Sequence, residues 1–312
     1  MTEAVSLPTD RARGLFVPVL TPFEADRTVS MPRFLDQCRW LLASGADGLA
    51  VFGTTSEANS LGIDEKIDLL QSLIDAGIPA ARLMPGTGTC ALPDTVRLTR
   101  AAVQAGCAGV LMLPPFYYKG VSDDGLFGSY DAVIQQVGDA RLRIYLYHFP
   151  QLSEVPLSPA LVGRLIAAHP DTVVGLKDSS GVFENTRDLL ERFPGFAVFP
   201  GSEARVLEAL RLGAAGCISA TANVNPAGIA AVIAGWQGPE AVALQESASA
   251  VRAVFSEVPL IPALKAVMAE WLADDGWRAP RPPLLPMERT AGAALADRLA
   301  GLGVSSRRST EA

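Results

Sequence analysis

The sequence predicts an α/β chain: a closed (β/α)8 barrel of the TIM type with a small C-terminal helical extension. Three observations predict it. Eight short strand-like runs recur between Gly14 and Ser219, and stretches of helical spacing separate them. The G-x-G-x-x-G turn that would follow the first strand of an open dinucleotide-binding sheet is missing. Strands alternating with helices imply right-handed crossovers and a parallel sheet, and eight such units over about this length suit a closed barrel.

The strands are expected at Gly14–Leu20, Gly48–Phe52, Arg82–Gly86, Gly109–Leu113, Ile144–His148, Val173–Lys177, Ala197–Pro200 and Gly216–Ser219. Between the first two, "MPRFLDQCRWLLASG" sets Phe34, Cys38, Leu41 and Leu42 on one face before a glycine stop. "PDTVRLTRAAVQAG" and "SPALVGRLIAAHP" read the same way, with Ser or Pro near the start and Gly or Pro past the end. After Ala220 no strand signal returns. "PAGIAAVIAGW" supplies the eighth barrel helix, and three further helical stretches follow. The Pro-rich "WRAPRPPLLPM" among them is too short and too apolar for a free linker. The expected division is an N-terminal arm over 1–13, the barrel over 14–236, the helical extension over 237–302 and a frayed tail over 303–312.

Composition narrows the function. An apolar fraction of 49% supports a large buried core, and a net charge of −7 with no basic stripe excludes a nucleic-acid partner. No apolar run is long enough to span a bilayer, and the N-terminus lacks the order of a signal peptide. Cys38, Cys90, Cys107 and Cys217 form no C-x-x-C pair, and His148 and His169 are the only histidines. Buried free thiols in a reducing cytoplasm, with no metal site, are therefore expected.

"VVGLKDSSG" holds Lys177, one of four lysines among 26 basic residues, at the end of the sixth strand. Catalytic groups of such barrels sit at the strands' C-terminal ends. A lysine amine ordinarily titrates near about 10.4, but dry walls disfavour its cation and free it to attack a carbonyl. Arginine cannot do this. The alternative is an ion pair, with Asp178 the nearest carboxylate in sequence. "VFGTTSEANSL" reads two ways: Thr54 and Glu57 have capping-box spacing, while hydroxyls beside exposed amides make a cradle for a carboxylate. "IYLYHFP" aims Tyr147 at the same barrel face, either as packing or as a proton carrier beside the lysine. "LPPFYYKG" puts Tyr117 and Tyr118 in the loop after the fourth strand, a pattern of interfaces.

These stretches together resemble the dihydrodipicolinate synthase/N-acetylneuraminate lyase family, class I pyruvate-type aldolases and lyases on (β/α)8 barrels. Its elements arrive in the family's order, from "TPF" (21–23) and "GTTSE" (53–57) through "PPFYY" (114–118), "YHFP" (147–150) and "GLKDSSG" (175–181) to "GSE" (201–203) and "GAAGCISATANV" (213–224). The resemblance implies that Lys177 forms a Schiff base with pyruvate or another 2-oxo acid and that Tyr147 carries the proton. It implies that Thr54 and Thr55 hold the carboxylate, with Gly53, Gly201, Glu203 and Ile218 on the substrate wall. Tyr117, or by a one-residue offset Tyr118, would be lent across a dimer interface. No cofactor is implied, and a homo-oligomer, a dimer of dimers, is.

Departures limit how far the resemblance goes. Leu152 stands where dihydrodipicolinate synthases carry an arginine, the natural fork for a second carboxylate, which argues against aspartate semialdehyde as acceptor. Ala204 and Ala220 replace polar residues of sialate lyases. Ser56 replaces a glycine, trimming space beside the cradle, and His148 replaces an asparagine with no catalytic role assigned. What remains resembles the branch that includes 2-keto-3-deoxy-sugar-acid aldolases, where Glu203 and Ser202 could meet sugar hydroxyls or Glu203 could cap a helix. The alternatives are 4-hydroxy-tetrahydrodipicolinate synthase itself and a non-catalytic barrel that binds 2-oxo acids.

Overall fold

The computed structural model describes residues 11–304. Seven strands are formed among them: β1 (Gly14–Val17), β2 (Gly48–Leu49), β3 (Val110–Met112), β4 (Ile144–His148), β5 (Val173–Asp178), β6 (Ala197–Pro200) and β7 (Gly216–Cys217). All pair in parallel, in the orders β2-β1-β7 and β3-β4-β5-β6. Segment 83–86 joins the two sets on one side, through bridges of Leu83 to Leu49 and of Gly86 to Leu111. On the other side the Ala215 amide donates to Val198 (2.9 Å) and the Ile218 amide to Pro200 (3.1 Å). Eight positions thus close into a barrel, and Lys177 lies on the sixth of them.

The third expected strand, Arg82–Gly86, is only this bridging segment. Residues 80–82 form a 3-10 turn, and Pro85 has no N–H to donate to a ladder. The first strand likewise stops short of Leu20, at Val17 before Pro18. The second and eighth stop at Leu49 and Cys217, although the Ala50 and Ile218 amides continue the barrel's hydrogen bonding.

Phe16, Met84, Leu111, Tyr145, Val174 and Phe199 fill the barrel interior. Tyr145 and Phe16 each meet Phe199 edge-on, at 5.9 and 6.1 Å between ring centres. Two glycines make this possible: a Cβ on Gly175 would lie 2.4 Å from the Tyr145 ring, and one on Gly48 2.3 Å from Phe16. The Tyr145 hydroxyl accepts from the Ala12 amide (2.7 Å), so the described end of the N-terminal arm crosses the bottom of the barrel. Residues 1–10 of the expected arm and 305–312 of the expected tail lie outside the described residues.

The surrounding helices are α1 (Met31–Ala43), α2 (Ile63–Asp75), α3 (Leu92–Gln104), α4 (Asp123–Val137), the single turn α5 (Pro150–Ser153), α6 (Pro159–Ala168), α7 (Phe183–Arg192), α8 (Val206–Arg211) and α9 (Pro226–Gly235). In α1 Phe34, Cys38 and Leu41 are buried as their spacing requires, while Leu42 is half-buried. The extension contributes α10 (Ala241–Ala253), α11 (Leu260–Leu272) and α12 (Arg289–Gly301). Its core is shared with the barrel, since Leu20, Ala220 and Val224 pack with Val251, Phe255, Leu264, Trp277 and Leu295. Beyond α12 the Val304 amide still donates to Leu299 (3.0 Å), so the described start of the tail is held. No helix among the described residues is long and apolar enough to cross a membrane.

Candidate active site

Alternation along the strands sets the site. Tyr145 and Tyr147 are two residues apart and both point into the barrel, Tyr145 deep and Tyr147 near the C-terminal mouth. The register between β4 and β5 places Tyr147 beside Lys177. Lys177 is 5% exposed, and its Nζ donates to the Tyr147 hydroxyl at 3.3 Å while lying 4.4 Å from the ring centre. The same hydroxyl is 3.2 Å from Thr54 Oγ1. Three functional groups from separate elements form one chain.

No carboxylate lies within ion-pair distance of Lys177 among the described residues. Asp178, its sequence neighbour, instead accepts from the Ser180 amide (3.0 Å) and the Thr186 hydroxyl (2.6 Å). The ion-pair reading of Lys177 therefore falls away. Alternation turns Asp178 to the opposite side of β5.

The loop after β2 is tightly wound, with Phe52 and Glu57 both at φ +58. The Ser56 amide donates to Gly53 (3.1 Å) and the Glu57 amide to Thr54 (3.0 Å). The Thr54 and Thr55 amides have no hydrogen bond among the described residues, and both residues line a cavity at the barrel mouth. Free amides flanked by hydroxyls at a barrel mouth can hold an anion. Thr21 pins the loop from below by donating to the Ser56 carbonyl (2.8 Å).

The capping-box reading of Thr54 and Glu57 does not hold. Glu57 turns away, pairs with Lys265 of α11 and accepts from the Arg281 amide (2.7 Å). Lys265 is wholly buried, and burial lowers its ammonium to about 8, against the opposing pull of Glu57. At the start of α2 the Gly62 amide instead donates to the Glu65 carboxylate (3.2 Å). Ser56 does not trim the cradle, because its hydroxyl is buried and donates to Val19.

The cavity holds about 590 Å³. Besides Thr54, Thr55, Tyr147 and Lys177, its wall includes Gly201, whose amide donates to Asp178 (2.7 Å). Four other expected contacts lie off that wall. Gly53 is buried behind the threonines, and Ile218 packs inside the barrel. Glu203 is fully buried and accepts from the Ser219 and Thr221 hydroxyls, so it neither reaches sugar hydroxyls nor caps a helix with its side chain. Tyr117 is 74% exposed and, among the described residues, meets Tyr118 alone as a ring contact, at 5.4 Å. Tyr118 is equally exposed and borders a separate hollow beside α3 and α4.

His148 packs as a strand-end residue, with Nδ1 accepting from the Leu157 amide (3.1 Å). Burial pushes its imidazolium form below the ordinary range, with Asp178 opposing. Among the described residues no group of three or more His, Cys, Asp or Glu side chains could hold a metal ion.

Sequence reasoning missed the far wall. Pro259, Leu260, Ile261 and Pro262 at the start of α11, Leu284 of the Pro-rich connector and Arg252 of α10 all line the cavity. The Arg252 guanidinium makes no hydrogen bond or ion pair among the described residues. The available signal was the run "PLIP" beside a half-apolar connector.

A buried amine, a phenol and a hydroxyl-bearing loop at the C-terminal mouth of a (β/α)8 barrel define a class: barrels equipped for carbonyl chemistry. The chain belongs to the dihydrodipicolinate synthetase family, whose sequence model matches residues 11–301. It is 36% identical over 285 residues to an uncharacterized DapA-like lyase of Chloroflexus aurantiacus, covering 91% of this chain and 94% of that protein. The dihydrodipicolinate synthase of Agrobacterium tumefaciens superposes with a TM-score of 0.86 at 32% identity, covering 93% of this chain and 99% of that one. YagE of Escherichia coli K12, a family member solved in complex with pyruvate, superposes at 0.83 with 26% identity, covering 94% and 99%. The chain is a lyase of this family.

Proposed function

We propose that the protein forms and cleaves a carbon–carbon bond next to a 2-oxo acid, pyruvate or a close relative, through a Schiff base on Lys177. The observation that carries this reading is the chain from Lys177 Nζ through the Tyr147 hydroxyl to Thr54 Oγ1, at 3.3 and 3.2 Å, with no carboxylate paired to the amine. The pyruvate bound by YagE supports the choice of ligand.

Pyruvate would set its carboxylate against the amides and hydroxyls of Thr54 and Thr55. Lys177 attacks the keto carbon, and Tyr147 carries the proton that lets the carbinolamine lose water. With a longer 2-oxo acid the iminium accepts the electron pair of the breaking C3–C4 bond, and with pyruvate itself the pair of a methyl C–H bond whose proton leaves; either way an enamine results. Tyr147 sits on the same face to return a proton, and Thr54 orients its hydroxyl. This electron sink is built from the chain's own lysine.

The 4-hydroxy-tetrahydrodipicolinate synthase reading needs a fork for a second carboxylate, and Leu152 provides none. The sugar-acid reading loses the hydroxyl-binding role of Glu203, which is sealed inside. Free thiols at all four cysteines suit a reducing cytoplasm. The exposed Tyr117 suits a dimer of dimers in which it completes a neighbouring site.

Borohydride reduction in the presence of pyruvate, followed by peptide mapping, tests the reading. A mass increment on the peptide holding Lys177 is expected. The Lys177→Ala variant should keep its circular dichroism, trap nothing and lose turnover by orders of magnitude. A non-catalytic binding barrel would bind pyruvate without a trappable adduct.

A further inference from the structure

Above Lys177 and Tyr147 the cavity changes character. Leu152, Val182, Phe183, Leu260, Ile261 and Leu284 form its outer wall. Leu152 is 62% exposed and Val182 53%, both uncovered by the rest of the described chain. Most polar groups nearby are already engaged, although the Ser179 hydroxyl, also on the wall, has no hydrogen bond among the described residues. Thr186 serves Asp178, Ser202 serves the Ala204 amide, and Arg205 pairs with Glu208 while stacking on Phe183 at 3.9 Å. Glu203 is sealed below the wall. Arg252 could meet one acidic substituent but cannot satisfy a chain of hydroxyls.

A volume of about 590 Å³ is far more than a three-carbon acid fills, so most of it belongs to the second reactant. A polyhydroxylated or zwitterionic reactant would exchange water for a wall with few hydrogen-bond partners, which disfavours it. An apolar body gains by leaving water. We infer that the aldehyde joined to, or released from, the 2-oxo acid carries an apolar body, aromatic or branched aliphatic, beyond its reacting carbon; this inference rests on the Schiff-base reading above.

In the joining direction the pyruvate iminium loses a methyl proton, and the CH2 carbon of the resulting enamine attacks the aldehyde carbon. The new C–C bond takes the enamine's electron pair. The aldehyde π pair moves to its oxygen, which receives a proton. Water then hydrolyses the iminium, restoring Lys177 and releasing a 4-hydroxy-2-oxo acid. That water replaces the one lost when the iminium formed, so pyruvate and aldehyde sum to the product.

The test measures kcat/KM for pyruvate with benzaldehyde and isobutyraldehyde against glyceraldehyde and aspartate semialdehyde, alongside borohydride trapping with pyruvate alone. The apolar aldehydes are expected to exceed the others by about tenfold or more, as removal of several methylene contacts predicts. Leu152→Arg, a change at the rim, is expected to shrink that preference about tenfold. Trapped pyruvate with a preference for glyceraldehyde or the semialdehyde, or with no turnover of the apolar pair, overturns the inference. Failure to trap pyruvate overturns the Schiff-base reading beneath it.

Discussion

At the scale of single residues, the barrel brings Lys177, Tyr147 and Thr54 within one hydrogen-bonded chain. Tyr147→Phe keeps the ring under the amine and removes only the hydroxyl. Its kcat should fall about 10²–10⁴-fold while pyruvate still protects the protein from thermal unfolding. An unchanged kcat would assign the proton to another group. His148 makes a second, independent prediction. Its folded form resists protonation because burial disfavours the cation and Nδ1 already accepts from Leu157. The unfolded chain therefore takes up a proton near pH 6.5 that the folded chain refuses, so stability is full above that pH and falls as pH drops below it. In urea titrations at pH 7.5 and 5.5, His148→Asn should lose less stability than the parent chain between the two. Equal losses would remove His148 from the account. That Lys177, Tyr147 and the threonine pair meet at the barrel mouth was readable because each follows or closes an apolar run of strand-formers. Glu203 was misread because its neighbours in space, Ser219 and Thr221, come from another strand end.

Among the elements, the loop after β2 depends on the extension. Glu57 leaves this loop to pair with Lys265 of α11, and Arg281 grips Glu57 through its amide while its guanidinium holds Glu65. Both members of the Glu57–Lys265 pair are buried. Removing one strands the other's charge, at a cost of about 3–5 kcal/mol. Glu57→Gln should lower the unfolding free energy by that order in denaturant titration. Pairing it with Lys265→Met should recover most of the loss. A double variant as unstable as the single would show that the charge is not the cause. The spacing from Thr54 to Glu57 suggested a local cap because sequence reports neighbours along the chain. It carries no sign of a lysine two hundred residues away. The third strand shows the same limit, where an apolar pattern was right about place but Pro85 reduced the ladder to single bridges.

For the whole molecule, the extension is an integral wall. Its helices share a core with Leu20 and Val224 of the barrel and supply Leu260, Ile261 and Leu284 to the cavity. A chain ending at Gly238 should lack a cooperative thermal transition and fail to trap pyruvate, because it exposes Leu20 and Val224 and releases Glu57 from its partner. Cooperative melting of that truncated chain would make the barrel an autonomous unit.

The order of strands and helices, the closed parallel barrel and the residues at its mouth were determined by the sequence alone. Period, punctuation and strand ends are local properties, and a parallel barrel puts all its strand ends on one face. The apolar outer wall, the Glu57–Lys265 pair and the sealing of Glu203 were decided by the tertiary structure. Each joins residues far apart in the chain, and only packing determines which buried charge finds a partner and which apolar side chain is left lining the cavity.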